Sequence, residues 1–251
     1  MSILISELIM YGSANHQETD SGTQGGAITT SVKLELTDIS ATGTVEVLSN
    51  NAGDTTQTIT VTGRDAAGVI VSQILTLNGT TPVASTQNYE RILKAVKNAT
   101  TAGTITLRKA SDDVTIGVFD KTPVEIFTIR RLFYDASAPP SGTRDYYEKA
   151  FLKNTNGTLT LTAATVIEQA DPTAKVTFAV GTALDDTGTS TNRLTAPASG
   201  VTAFDSTTKN VANSQNLTAG AAQSVWLKLS LTAGDAATKN TYTPRLNGTS
   251  T

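Results

Sequence analysis

An all-β fold is predicted by three features of this chain: its β-branched content, the period-two spacing of its apolar residues, and the turn chemistry between those runs. Of the 251 residues, 46 are threonine, far above ordinary usage. Thr, Val and Ile are stiff at χ1 and fit a pleated, half-buried surface better than a helix. Alternation puts apolar side chains on one sheet face and polar ones on the other. Such runs begin with Val32-Lys33-Leu34-Glu35-Leu36, Val45-Glu46-Val47, Ile59-Thr60-Val61 and Ile74-Leu75-Thr76-Leu77. They continue with Ile105-Thr106-Leu107, Leu159-Thr160-Leu161, Val176-Thr177-Phe178 and Trp226-Leu227-Lys228-Leu229. Turn residues lie between them: Asn50-Asn51-Ala52-Gly53-Asp54, Asp65-Ala66-Ala67-Gly68, Asn78-Gly79, Asn156-Gly157 and Asn247-Gly248. Asn-Gly tolerates positive φ, so it signals hairpins. One stretch departs from this pattern. Tyr89, Ile92, Leu93 and Val96 fall at helical spacing, which suits either a short helix or a strand followed by a bend.

Short strands at this turn spacing indicate sandwiches or barrels. The predicted organisation is two β-sandwich-like domains (Ig-like or jelly-roll-like), residues 31–135 and 143–251, with an extended N-terminal arm over residues 1–30. The arm is Gly-, Ser-, Thr- and Gln-rich over residues 11–30 and contains His16. Its apolar start (Ile3, Leu4, Ile5, Leu8, Ile9, Met10) is either ordered by a neighbouring subunit through strand addition or is the first strand of the chain's own sandwich. A connector is expected at residues 136–142, because Pro139-Pro140 cannot join a central strand. Trp226, Phe151, Leu161, Phe178 and Val61 are the expected core packers.

Composition bounds the chemistry. Lys and Arg number 19 against 22 Asp and Glu, a net charge of −3, and charged residues make up 16% of the chain. A dedicated nucleic-acid binder needs a clustered basic face instead. With no cysteine, disulfides, thiolate metal sites and cysteine nucleophiles are excluded, and His16 alone excludes a multi-histidine metal site. No apolar run approaches the ~20 residues of a spanning helix. The start lacks a basic n-region and carries Glu7, so no secretory leader is expected.

The remaining candidates are weak. Asp186-Thr187-Gly188 resembles the aspartic-protease loop, but that chemistry needs two facing carboxylates. It reads as a polar loop tip. His16 lacks a nucleophile-elbow partner, and Gly22-Thr23-Gln24-Gly25-Gly26 lacks the Lys-Ser/Thr of a phosphate cradle. Asp112-Asp113 and Asp185-Asp186 lack calcium-loop spacing. Asn78, Asn98, Asn156, Asn216 and Asn247 head nominal glycosylation triplets that mean nothing without a secretory route. Arg130-Arg131, beside Phe127, Leu132, Phe133 and Tyr134, reads as an amphipathic strand with solvated charges. No catalytic, metal or cofactor-binding residue is expected, and the chain is not read as an enzyme.

Three stretches together resemble virion structural proteins of tailed bacteriophages: residues 43–83, residues 146–161, and residues 217–234 with their lone Trp226. The shared style is threonine-rich strands, the run Leu77-Asn78-Gly79-Thr80-Thr81, and a single tryptophan in a late strand. The resemblance implies a non-enzymatic β-sandwich protein of the capsid-decoration (cement) kind. Such a protein sits on the head, often as a homotrimer, and bridges neighbouring copies of the major capsid protein. A neck, tail-tube or baseplate component is the alternative, and a carbohydrate-binding or adhesion module is another. The absence of cysteine makes folding indifferent to redox conditions, as a particle leaving its host cytoplasm requires.

Overall fold

The computed structural model describes residues 2–16, 19–34, 37–121, 128–133, 136–236 and 242–250. The protein is all-β, with 51% of residues in strands and 3% in helix, arranged as several antiparallel sheets. Its strands begin with β1 (Leu8–Asn15) and β2 (Gln24–Lys33). Then come β3 (Val45–Ser49), β4 (Thr58–Arg64), β5 (Ile70–Thr76), β6 (Val83–Ala84), β7 (Arg91–Lys97), β8 (Ile105–Lys109), β9 (Thr115–Phe119) and β10 (Thr128–Arg130). The chain continues through β11 (Thr143–Asn154), β12 (Leu161–Ala170), β13 (Val176–Leu184), β14 (Thr189–Ser190), β15 (Lys209–Asn210), β16 (Ala222–Thr232) and β17 (Thr243–Ser250). Two compact units result: Met1–Thr30 with Leu132–Thr251, and Ser31–Arg131.

In the first unit, one sheet runs β13-β16-β11-β1-β2, with β14 also on β2, and a second runs β15-β12-β17. β11 and β16 are its central strands, paired from Thr143↔Thr232 to Lys153↔Ala222. Residues Tyr146–Leu152 and Ala222–Leu227 are buried without interruption, because both faces of these strands are covered. Phe178, Val180, Leu152, Leu161, Val225 and Leu227 form one core cluster, and Trp226 packs with Tyr147 and Ala179 in another. The five expected core packers are all buried. Gly25 is needed where it stands. Its φ is +90°, and a Cβ there would lie 2.8 Å from the Trp226 ring.

The N-terminal stretch departs from the expected arm. β1 pairs antiparallel with β11 from Leu8↔Asn154 to Gly12↔Ala150, and Gly25 and Gln24 pair with Thr189 and Ser190 of β14. These main-chain groups are thus satisfied within the chain, as buried backbone requires. Residues 136–142 belong to the first unit. The Tyr146 hydroxyl donates to the Ser137 carbonyl at 2.8 Å, and the Ala233 N–H donates to the Gly142 carbonyl. Asn247-Gly248, expected as a turn, lies inside β17. There it faces a bulge of β12 between Thr162 and Thr165, and a Cβ on Gly248 would lie 2.5 Å from Leu161 Cγ. Glycine marks a close approach here rather than a reversal.

In the second unit, strands run β10-β7-β4-β5 in one sheet and β6-β3-β8-β9 in another. Val45, Val47, Ile59, Val61, Ile105 and Leu107 are fully buried, as their alternation requires. The ambiguous stretch is strand β7, not helix. Gly63 pairs with Ile92 and Thr62 with Lys94, so Leu93 is an extra residue. A bulge lets Ile92 and Leu93 both turn inward, which imitates helical spacing. The 50–54 turn forms as expected. Asp54 accepts from Ser49 Oγ (2.6 Å), Ala102 N (2.8 Å) and Gly103 N (3.0 Å), tying two loops together. Glu35 and Leu36 of the first alternating run lie outside the described residues, as do Phe127 and Tyr134.

Candidate functional site

Glu148 and Lys149 are neighbours on β11, so strand alternation sends them to opposite sheet faces. Both are completely buried. A buried charge persists only when paired and hydrogen-bonded, and each gathers partners from distant segments.

Lys149 lies opposite Trp226 in the β11–β16 register. Its Nζ donates to the carbonyls of Gly26 (3.0 Å), Asp186 (2.9 Å) and Gly188 (3.0 Å) and pairs with Asp186 Oδ2 at 2.8 Å. The ammonium sits 4.9 Å from the Phe151 ring centroid and 5.7 Å from that of Trp226. Asp186 also accepts from Gly188 N (2.7 Å) and Ser224 Oγ (3.0 Å). Burial pulls the Lys149 amine below its ordinary range, against the pull of Asp186. Burial alone would raise the Asp186 carboxyl. The hydrogen bonds from Lys149, Gly188 and Ser224 and the lysine charge outweigh it and hold the group below the usual carboxylate range.

On the other face, Glu148 Oε2 lies 2.9 Å from His16 Nε2, and Oε1 lies 3.0 Å from Arg193 Nη2. The Arg193 side chain is 1% exposed, with its guanidinium 5.1 Å from the Tyr146 ring centroid. Asp20 Oδ1 stands 3.7 Å from Arg193 Nη1. The Arg193 carbonyl accepts from Tyr147 N at 2.7 Å. Together these contacts fasten the 24–26, 186–190 and 193 segments to the central strands.

The sequence candidates fall into place around this cluster. The carboxylate of the Asp186-Thr187-Gly188 triplet is engaged by a lysine, a serine and a backbone N–H. His16, expected in the extended arm, is 4% exposed against Glu148. Gly26, in the glycine-rich run, offers its carbonyl to Lys149 rather than an N–H to a phosphate. Asp185 accepts from Ala222 N at 3.0 Å. Asp112 pairs with Lys109 at 2.8 Å and Asp113 with Arg108 at 3.1 Å. Among the described residues, no group of three or more His, Asp or Glu is placed to hold a metal ion. Asn156 accepts from Leu159 N (2.8 Å) and donates to Glu7 Oε1 (2.9 Å), and Asn98 accepts from Thr58 N (2.8 Å). Arg131 pairs with Asp38 Oδ2 at 2.5 Å. Glu148, Lys149 and Arg193 are not among the residues expected from the sequence to form a site. Their one legible signal is an acid–base pair in the middle of the otherwise apolar and aromatic run Tyr146–Leu152.

The lowered carboxyls set an acid limit. Asp205 is pushed down to about 2 by Lys209 Nζ and by the hydroxyl and N–H of Thr207. A carboxyl lowered in the folded state contributes stability above its unfolded value of about 4, which is lost as pH falls through the folded value. The thermal midpoint is therefore expected to fall between about pH 4 and pH 2, and Asp186→Asn should flatten that decline. An identical decline in the variant would remove Asp186 from the account.

No protein family, no curated protein and no solved structure matches this chain.

Proposed function

We propose that the protein is a non-enzymatic virion structural protein of the capsid-decoration kind, built as two β-sandwich-like domains. Its partners in this reading are the major capsid protein and copies of itself. One observation carries the reading: the first unit directs His16, Glu148, Lys149, Asp186 and Arg193 inward, onto one another and onto loop carbonyls. Charged side chains used in this way reinforce a scaffold, and mechanical holding requires a resistant scaffold. The resemblance of residues 43–83, 146–161 and 217–234 to phage virion proteins supports the same reading. Function would then come from many weak contacts multiplied across a particle.

Imaging of the intact particle with labelled protein tests this. Hundreds of copies over the head surface are the expected result. A handful of copies at the neck or baseplate would move the protein to that alternative, and absence from the particle would overturn the proposal.

A further inference from the structure

We propose that β5 is a docking edge for a second copy of this chain, paired antiparallel about a two-fold axis with Ser72 opposite Ser72. The inference rests on the assembly reading above and names a surface for it. β5 ends its sheet order, and among the described residues β4 is its strand partner. Its other side therefore presents a row of main-chain donors and acceptors, which invites a further strand. Ile70 and Ile74 of this strand are 47% and 64% exposed.

Edge strands are ordinarily guarded by charge, Lys above all. This one has no such guard: residues 66–89 form the longest run in the chain without Asp, Glu, Lys or Arg. That lack of charge selects the occupant. A polyanion or a charged peptide finds no opposite charge along the edge, whereas a second copy meets no like charge.

The strand also complements itself. In the two-fold register, Ile70 faces Ile74, Val71 faces Gln73, and Ser72 faces its own counterpart. Alternation places Ile70, Ser72 and Ile74 on the outer face, so a single pairing sets the exposed isoleucines of the two copies against each other. Cross-strand apolar pairs of this kind stabilise a sheet, and an isologous contact closes at two copies.

The edge is already shaped. Asp65 Oδ1 accepts from Ala67 N and Val69 N at 2.9 Å, and Arg64 Nη1 donates to the Gly68 carbonyl at 2.8 Å. Gln73 Oε1 accepts from Thr86 N (3.0 Å) and Gln87 N (3.1 Å). Little ordering is left for association to oppose.

The chain has no cysteine, so Ser72→Cys introduces a single thiol into it. Directly opposed Cβ atoms stand about 4.5–5.5 Å apart, close to disulfide reach. Under mild oxidation this variant should form a linked dimer at least about tenfold faster than Gly157→Cys, a control thiol in an exposed loop. Adding Ile70→Lys and Ile74→Lys should return it to the control rate. The same two lysines in the wild-type background should weaken the dimer at least about tenfold in sedimentation equilibrium. Both positions are exposed, so circular dichroism should show an unchanged fold. Cross-linking no faster than the control, or a dimer indifferent to the lysines, would overturn the proposal. A monomer that still decorates particles removes the pairing alone. A β5 dimer absent from particles removes the virion reading and leaves the pairing intact.

Discussion

Trp226→Ala is expected to lower folding stability by about 3–5 kcal/mol, the cost of emptying a large aromatic site in a packed core. Trp226 is fully buried at the centre of β16, against Tyr147 and Ala179, with Val201 and Phe204 closing over them. Collapse cannot readily fill the space. The backbone at Gly25 already approaches the ring as closely as a residue without a Cβ allows, and Lys149 is fixed beside it by three carbonyls. Urea unfolding followed by circular dichroism checks this, because the variant loses the chain's only tryptophan. A loss under about 1 kcal/mol would show that the site relaxes or is not packed as described.

Glu148→Ala is expected to cost a similar amount, about 3–5 kcal/mol, for a different reason: it removes one partner of a buried ion pair. Arg193, 1% exposed, would keep its charge and lose its nearest counter-charge. Asp20, at 3.7 Å and 44% exposed, is too distant and too wet to replace it. The control is the double substitution Glu148→Leu with Arg193→Met, which removes both charges at similar volume. It should recover most of the loss, since apolar replacement of a whole buried pair is often neutral or better. If the double variant is as unstable as Glu148→Ala, the penalty comes from packing and not from the stranded arginine. Neither variant touches β5, so the dimer test stands apart from them.

Much of the fold was legible because sheets write their burial into a period of two. Ile105-Thr106-Leu107 and Val176-Thr177-Phe178 alternate in sequence and in burial alike. The rule failed where a local irregularity shifted the phase. One extra residue at Leu93 turned a strand into an apparent helix, and Gly248 served a close packing contact while looking like half of a turn. On the central strands alternation located the strand at Trp226–Leu229 but not its burial on both faces. Trp226 and Leu227 face opposite ways and are both buried, a pattern that alternation alone does not separate from helix. The candidate site was least legible. Glu148 and Lys149 resemble ordinary solvent-facing strand charges until their partners at positions 16, 186 and 193 are brought to them.

Composition and spacing by themselves determined that this chain forms sheets and that thiol and multi-histidine chemistry is closed to it, since those properties belong to residue types and nearest neighbours. Only the tertiary structure decided that the N-terminal stretch joins β11 and β14, that Glu148, Lys149 and Arg193 are buried in the first unit with His16 and Asp186 turned onto them, and that β5 stands at an edge without charge. Each of these depends on which distant segments share a sheet. Pairing of that kind is set by the summed burial of many residues, and no local window of sequence contains it.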